Sequence, residues 1–214
     1  MAVVITGASR GIGAGLADFY RANGAEVFGT GRSGSADLHL DVTEPDSHAR
    51  LADALGERPV ELLICNAGVY LDKGHDLETG YAADLWARTF ATNVTGVFLT
   101  VQALLAHLRR AQDAKIAIIS SQMASSTNAP GGAYIYRASK AAALNLGRNL
   151  ATDLKREGIA VGIYHPGWVQ TDMGGGAADI TVAEAVKGLA ARFEDLSVET
   201  TGVFETWDGR AHPY

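Results

Sequence analysis

Short apolar segments that suit buried strands alternate along the chain with segments of helical periodicity, and this alternation is the strongest constraint on the fold. Apolar runs of this kind between turn signals are typical of strands in a parallel sheet. Helices fill the gaps, among them Ser47–Leu55, a long one around Asn93–Arg110, and Ala138–Arg156. The order predicts one α/β domain over residues 1–214, with a doubly wound parallel sheet and helices on both faces. The predicted strands are Ala2–Thr6, Glu26–Thr30, Leu38–Leu40, Val60–Cys65, Lys115–Ser120, Ile159–Tyr164 and Gly202–Thr206.

A glycine-rich turn joins the first strand to the first helix. Gly7, Gly11 and Gly13 follow Ala2–Thr6 directly, and apolar residues at helical spacing begin at Ile12. A strand, a glycine turn and a helix form the start of a dinucleotide-binding unit, in which the backbone approaches a pyrophosphate at the helix N-terminus. The spacing differs from the G-x-G-x-x-G of most Rossmann proteins, and a merely tight strand-to-helix corner would look much the same. We therefore predict a Rossmann-type sheet of about seven strands, with this turn as its cofactor end.

Tyr136 and Lys140 stand four residues apart in the string YRASK. On a helix such residues share a face, so an ammonium can lie beside a phenol. A fixed cation stabilises a phenolate and lowers its pKa, which makes the hydroxyl usable as a general acid or base. The alternative is a solvated helix face, because Tyr-x-x-x-Lys on its own is common.

Seven segments occur in one order, and together they are more specific than any of them alone. They are TGASRGIG at Thr6–Gly13, Asp41-Val42, Asn66-Ala67-Gly68, Asn93 in TNVTG, Ser121 in IISSQ, Tyr136 and Lys140 in YRASK, and HPGWVQTDMGG at His165–Gly175. In this order they resemble the short-chain dehydrogenase/reductase family. The strings YIYRASKAA and HPGWVQTDMGG are most similar to its C-factor and sniffer-type carbonyl reductase branch.

The resemblance implies four catalytic residues: Asn93, Ser121, Tyr136 and Lys140. Ser121 lies 15 residues before Tyr136, slightly more than in many members, and Ser120 is an alternative to it. Asn93 would anchor a water that relays protons to the lysine, although it could also be a capping or helix-kinking asparagine. Lys140 would hold the nicotinamide ribose as well as act on the tyrosine.

The resemblance also implies reversible hydride transfer between a nicotinamide cofactor and a small carbonyl or alcohol substrate. Tyr136 would donate a proton to the developing alkoxide during reduction and remove one from the alcohol during oxidation. Ser121 would hydrogen-bond the carbonyl oxygen as negative charge develops there.

Charge after the second strand favours NADP(H) over NAD(H). NAD-specific proteins place an acidic residue there for the ribose 2′-hydroxyl, whereas this chain has Thr30–Ser33 and no carboxylate before Asp37. Arg10 and Arg32 suit a 2′-phosphate, unless both are solvated loop arginines. The predicted cofactor-binding residues are Gly7, Ser9, Arg10, Gly11, Ile12, Gly13, Arg32, Asp41, Val42, Asn66, Ala67, Gly68, Tyr136, Lys140, Pro166, Gly167, Val169 and Thr171.

A second class of function stays open. Some proteins of this fold bind a dinucleotide and act as sensors, and the C-factor resemblance brings a signalling role with it. A pure binder has no need of the tyrosine, lysine, serine and asparagine set, which favours the enzyme.

Composition excludes several other classes. The 214 residues, 47% hydrophobic with 25 glycines, suit one α/β domain. A formal charge of −6, with no basic run longer than Arg109-Arg110, argues against a nucleic-acid partner. No histidine spacing predicts a metal site, and the single Cys65 lies in an apolar run as a buried thiol. No signal peptide is evident and no apolar stretch approaches the ~20 residues of a membrane span, so we expect a cytoplasmic protein without a membrane partner.

The substrate loop is short, at about residues 173–181, and ends at a capping box formed by Thr181 and Glu184. Its glycines could form a lid or only a flexible turn. Tyr134 and Trp168 could line a pocket for apolar or aromatic carbonyls, or could serve packing. The apolar stripe from Val182 to Phe193 is expected to be core, and substrate identity is left open.

Small residues on the helix that carries Tyr136 predict self-association. They cover more of the helix circumference than one contact face needs, which leaves a smooth patch for a second subunit. We expect a homodimer or homotetramer, although alanine is also simply the best helix former. The small residues are Ala138, Ala141, Ala142, Ala143, Gly147 and Ala151.

Overall fold

The computed structural model describes residues 1–32 and 34–214, and within them the chain forms one seven-stranded parallel sheet. The strand order is β3-β2-β1-β4-β5-β6-β7, which confirms the predicted doubly wound α/β fold. Ser33, the last residue of the segment used in the cofactor argument, lies outside the described residues. The strands are β1 Ala2–Thr6, β2 Glu26–Gly31, β3 Leu38–His39, β4 Leu62–Cys65, β5 Lys115–Ile119, β6 Ala160–His165 and β7 Phe204–Thr206.

Six α-helices connect these strands across the described part of the chain. A π-helical turn at Ala91–Thr95 joins the third helix to the fourth without a break. The fifth helix begins at Tyr134, four residues before the predicted start at Ala138, and the third was not predicted. The helices are α1 Gly11–Ala22, α2 Pro45–Leu55, α3 Ala83–Phe90, α4 Gly96–Arg110, α5 Tyr134–Leu154 and α6 Val182–Asp195.

The helices cover the two faces of the sheet and create two main hydrophobic cores. Alternate residues of each strand point to opposite faces, so Val4 packs in one core and Ile5 in the other. Helices α2, α4 and α5 contribute to the first core, and α1 and α6 to the second. Burial of each leucine or isoleucine side chain in these cores stabilises the folded protein by about 1.5–3 kcal/mol. The apolar stripe of α6 is core, as predicted, with Leu189 and Phe193 almost completely buried.

Within the continuous helix from Ala83 to Arg110, one 18-residue stretch has the length and mean hydropathy (1.4) of a membrane span. The expectation that no apolar stretch reaches such a length was therefore wrong. Within this fold the helix packs on the sheet, and Val101, Leu104 and Leu108 are buried in the core. These apolar residues of the helix therefore pack in the hydrophobic core.

The strand order reverses beside β1, because the chain runs from β1 to β2 and β3 on one side and returns through β4 to β7 on the other. In such sheets a crevice opens beyond the carboxyl ends of the strands at this point. The segments that follow β1, β4, β5 and β6 therefore converge on one edge.

Candidate functional site

A cleft of about 530 Å³ opens at the carboxyl edge of the sheet, where the strand order reverses. Most of the predicted cofactor residues line this cleft. Its other lining residues include Ser120, Gln170, Asp172 and Met173. Three predicted cofactor residues, Gly13, Gly167 and Val169, are not among the described residues that line it. The predicted residues that do are Gly7, Ser9, Arg10, Gly11, Ile12, Arg32, Asp41, Val42, Asn66, Ala67, Gly68, Tyr136, Lys140, Pro166 and Thr171.

The segment after β4 holds the glycine turn through hydrogen bonds. The Asn66 side-chain amide donates to the carbonyl oxygens of Thr6 and Gly7, at 3.0 and 3.1 Å. A Cβ on Gly7 would come within 2.9 Å of the Ala67 backbone, and one on Gly13 within 2.2 Å of the Gly7 carbonyl oxygen. Gly13 thus lets α1 begin close under the turn, which points the helix N-terminus into the cleft.

Two arginines lie at the cleft. Arg10 pairs with Asp172, its Nη1 lying 2.6 Å from Oδ2, and both side chains are about three-quarters exposed. Arg32 lies near Asp41: burial opposes ionisation there, but hydrogen bonds from Thr43 and the charge of Arg32 lower the pKa of the Asp41 carboxyl. Because Arg10 and Asp172 belong to the turn after β1 and the loop after β6, their ion pair bridges two walls of the cleft.

Tyr136 lies in the first turn of α5, and its side chain is buried. The Lys140 Nζ is 5.8 Å from the Tyr136 ring centroid, one helical turn further on. Tyr70, from the loop after β4, stacks on the same ring at a centroid distance of 4.3 Å. The predicted pair is therefore brought together, inside the protein rather than on a solvated helix face.

The pKa of Tyr136 is raised to about 12, mainly by burial, and the nearby Tyr70 and Asp72 add to the increase. A hydrogen bond with the Ser121 hydroxyl acts in the opposite direction. The pKa of Tyr136 therefore lies above its ordinary value and not below it, because burial penalises the phenolate more than its polar neighbours stabilise it. Burial also lowers the pKa of Lys140, to about 8.

The two serines after β5 have different partners. Ser120 donates its hydroxyl to the Lys140 carbonyl oxygen at 3.0 Å, which fixes it to the backbone of α5. The Ser121 oxygen accepts from the Met123 N–H at 3.1 Å, and its hydroxyl lies within hydrogen-bond reach of Tyr136. Ser120 lines the cleft, but only Ser121 interacts with the Tyr136 hydroxyl, which favours Ser121 as the residue beside the reacting oxygen.

Asn93 is buried in the π-helical turn. Its side chain accepts from the Val69 N–H at 2.8 Å and donates to the Val69 carbonyl oxygen at 2.9 Å. The Asn93 Oδ1 and the Lys140 Nζ both lie 3.4 Å from the position of a Cβ on Gly68, and Lys140 donates to the Ile119 carbonyl oxygen at 2.9 Å. Two roles were considered for Asn93 from sequence: a helix-kinking asparagine and an anchor next to the lysine. They are compatible, because Asn93 lies at a helix irregularity and close to Lys140.

The loop after β6 closes one side of the cleft. The Thr171 hydroxyl accepts from the Gly174 N–H at 3.1 Å, and its methyl group would lie 3.4 Å from a Cβ on Gly11. Trp168 donates its indole N–H to the Gly174 carbonyl oxygen at 2.9 Å and is about half exposed. The capping box of Thr181 and Glu184 is present as predicted.

Sequence reasoning missed Tyr70 and Asp72, which both contact the α5 segment that carries Tyr136. Their contacts join positions more than 60 residues apart in the chain, a relationship that no local pattern carries. The string NAG placed their loop at the sheet edge, and that was the only available signal.

A Rossmann-type sheet with a glycine turn and a buried tyrosine–lysine pair on one cleft defines a class of dinucleotide-binding oxidoreductases. The chain belongs to the short chain dehydrogenase family, whose model matches residues 1–179. It is 40% identical over 159 residues to "C-signal" of Myxococcus xanthus, covering 73% of this chain and 93% of that protein. It is 34% identical over 224 aligned positions to 1-hydroxy-2-glutathionyl-2-methyl-3-butene dehydrogenase of Rhodococcus sp. (strain AD45), covering 97% and 96%.

Solved structures give the same relationship. The NADPH-bound carbonyl reductase from chicken fatty liver is similar over the whole chain and 98% of its own length, with a TM-score of 0.91 and 30% identity. The carbonyl reductase Sniffer of D. melanogaster has a TM-score of 0.92 and 26% identity, over 100% of this chain and 99% of that one. These similarities confirm the resemblance to the carbonyl reductase and sniffer branch that the motifs indicated.

Proposed function

We propose that this protein catalyses hydride transfer between NADP(H) and a small carbonyl or alcohol substrate, with Tyr136 as general acid and base. The observation that carries the proposal is the arrangement of Tyr136, Ser121 and Lys140 beside one cleft that the glycine turn also lines. Membership of the short chain dehydrogenase family and the carbonyl reductase structures support it.

The residues of the cleft fit a nicotinamide dinucleotide. The glycine turn leaves room for a pyrophosphate at the N-terminus of α1, since Gly7 and Gly11 both have positive φ, at 68° and 56°. Asn66–Gly68 and Thr171 line the same cleft. When bound, the cofactor supplies or accepts the hydride.

The proton chemistry belongs to the protein. Because the pKa of Tyr136 is raised to about 12, its hydroxyl keeps its proton at neutral pH and can donate it to a carbonyl oxygen that gains negative charge. Ser121 can hydrogen-bond the same oxygen. With a pKa of about 8, Lys140 is mostly charged at pH 7, and its ammonium favours negative charge on the phenol oxygen after the proton has left. Asn93 holds the loop at Val69 beside that ammonium.

Charge supports NADP(H) as the preferred cofactor. Asp37, the first carboxylate after β2, accepts from the Gly29 N–H at 2.7 Å and pairs with Arg21, so it is engaged away from the cleft. Arg10 and Arg32 line the cleft instead. Arg32→Asp is expected to move the kcat/KM ratio toward NADH, and a wild-type preference for NADH would contradict the assignment.

The test is consumption of NADPH in the presence of a panel of aldehydes, ketones and quinones. Turnover with any of them supports the proposal. The similarity to "C-signal" is the reason to retain the sensor alternative. Tight NADPH binding without turnover on a broad panel would favour that alternative. A cytoplasmic location without nucleic-acid or membrane partners stays a prediction.

A further inference from the structure

Asp72 is a buried carboxylate at the start of the helix that carries Tyr136. It lies in the loop after β4 and is 1% exposed. Its Oδ2 accepts from the Ile135 N–H at 2.9 Å, and its two oxygens lie 3.2 and 3.4 Å from the Tyr136 nitrogen. The backbone donor of the proposed acid is thus held by a side chain from 64 positions earlier in the sequence.

Helix α5 lacks a cap of its own. Ala133 occupies the N-cap position with a left-handed φ of 46°, and its side chain offers no hydrogen bond. The first turn of α5 contains no acidic residue. The first amides of a helix have no partner within the helix, and an acceptor or an anion there contributes about 1 kcal/mol each. Asp72, from the loop after β4, supplies both the hydrogen-bond acceptor and the negative charge.

We propose that Asp72 is a positioning residue for the reaction assigned above: it anchors the first turn of α5, which sets the place of Tyr136. This inference rests on the proposed function. Asp72 differs from the four predicted catalytic residues because it acts on the tyrosine through the backbone of α5.

The charged and titratable groups around Tyr136 define what Asp72 adds. Tyr70 stacks on the ring from the loop after β4, and Lys140 faces it from α5. Ser121 approaches the hydroxyl from the segment after β5. Arg137 acts on Tyr70, where its charge opposes the effect of Asp72. After burial and the opposing Ser121 hydrogen bond, Tyr70 and Asp72 raise the pKa of Tyr136, so loss of the Asp72 charge favours the phenolate.

Two variants test the anchor. Asp72→Asn keeps an oxygen that can accept from the first-turn amides but removes the charge, and Asp72→Ala removes both. Asp84→Asn, on the exposed surface of α3, is the matched control. Steady-state NADPH oxidation with a carbonyl that the wild type reduces gives kcat, KM and the pH profile of each.

We expect Asp72→Ala to lower kcat roughly tenfold to a hundredfold, with the KM for NADPH changed by less than about twofold. Asp72→Asn should recover most of kcat at pH 7, because it keeps an acceptor for the first-turn amides. Wild-type kcat in Asp72→Ala would overturn the anchoring role. So would an Asp72→Asn variant that is no more active than Asp72→Ala.

Hydrogen exchange tests the anchor without any turnover. The peptide that covers residues 134–140 should exchange faster in Asp72→Ala than in wild type or Asp84→Asn, and Asp72→Asn should restore most of its protection. Unchanged exchange in Asp72→Ala would overturn the inference even in an active enzyme. If the wild type reduces nothing on the panel, the proposed function fails, and this measurement still decides whether Asp72 anchors α5.

Discussion

In the proposed reaction Tyr136 is the proton donor, and its raised pKa keeps it in the neutral form. Burial is the largest influence on its pKa, and the hydrogen bond with Ser121 offsets only part of it. Lys140 is also buried, and burial lowers its pKa to about 8. The pair therefore suits the reduction direction near neutral pH, where the phenol is protonated and the ammonium is still present.

Tyr136→Phe should reduce carbonyl turnover to background while the Kd for NADPH changes by less than about threefold, because the hydroxyl is removed and the buried ring remains. NADPH fluorescence gives the binding constant and absorbance gives the rate. Tyr134→Phe is the matched control, since Tyr134 is partly exposed, packs edge-on against Tyr81 and has Ala138 one turn further on. Substantial turnover by Tyr136→Phe would refute the assignment.

The local relationships could be predicted from sequence. Tyr136 and Lys140 lie within one helix, so their spacing alone placed them together. The direction of the tyrosine pKa could not be predicted, because it depends on burial created by Tyr70 and other distant residues. Asp72 was missed for the same reason: Gly131, Gly132 and Ala133 adopt left-handed φ before α5, and nothing in that string shows which loop supplies the missing cap.

At the scale of elements, the cleft is bounded by segments that follow different strands. The turns after β1 and β4 could be predicted because each follows a buried apolar strand, and parallel strands end at one edge. The contact between Arg10 and Asp172 joins residues 162 positions apart and could not. Its consequence is that Arg10, predicted to bind the 2′-phosphate, is paired with a carboxylate of the substrate-loop side.

Removing that carboxylate should favour the more anionic cofactor. In Asp172→Asn, Arg10 loses a competing partner and the cleft loses a negative charge, so NADPH should bind roughly two- to fivefold more tightly at low salt. The Kd for NADH should fall less, because NADH carries the pyrophosphate but lacks the 2′-phosphate. Asp179→Asn, an exposed carboxylate of the same loop, is the control. Equal tightening for both cofactors would contradict a role for Arg10 at the 2′-phosphate.

At the scale of the whole molecule, His165 links folding stability to pH. It ends β6 and is 8% exposed, and its Nδ1 has no hydrogen-bond partner in the described structure. Burial, followed by the proximity of His212, lowers its pKa to about 4. Between pH 6.5 and 4 the unfolded chain therefore binds a proton that the folded protein does not, so the free energy of unfolding falls as the pH falls.

The expected contribution of His165 is a loss of about 3 kcal/mol of stability between pH 7 and pH 4, since each pKa unit corresponds to ~1.4 kcal/mol. Urea unfolding of His165→Asn should show a smaller acid loss by about that amount, whatever its stability at pH 7. His39→Asn, at an exposed position of β3, should keep the wild-type pH dependence. The same acid loss in His165→Asn and wild type would exclude this source.

Exposed apolar side chains on α3 and α4 support the prediction of self-association. Trp86 and Phe98 expose 37% and 42% of their surface on the continuous helix from Ala83 to Arg110. Next to α3, helix α5 buries Gly147 against Ile163, but Ala138 and Ala142 are only half-buried. The small residues of α5 thus serve packing within the chain on one side, while Ala138 and Ala142 stay partly accessible on the other.

We predict a homodimer, with a tetramer as the extension of the same arrangement, because apolar rings on an exposed helix gain by burial and closed two-fold pairs are the commonest assembly. Light scattering coupled to gel filtration at micromolar concentration should give about twice the monomer mass of 22.4 kDa. Phe98→Asp should shift the mass toward the monomer, whereas Leu77→Asp, at a more exposed leucine in the loop before α3, should not. A wild-type mass near 22.4 kDa would mean that the small residues of α5 serve packing within one chain only.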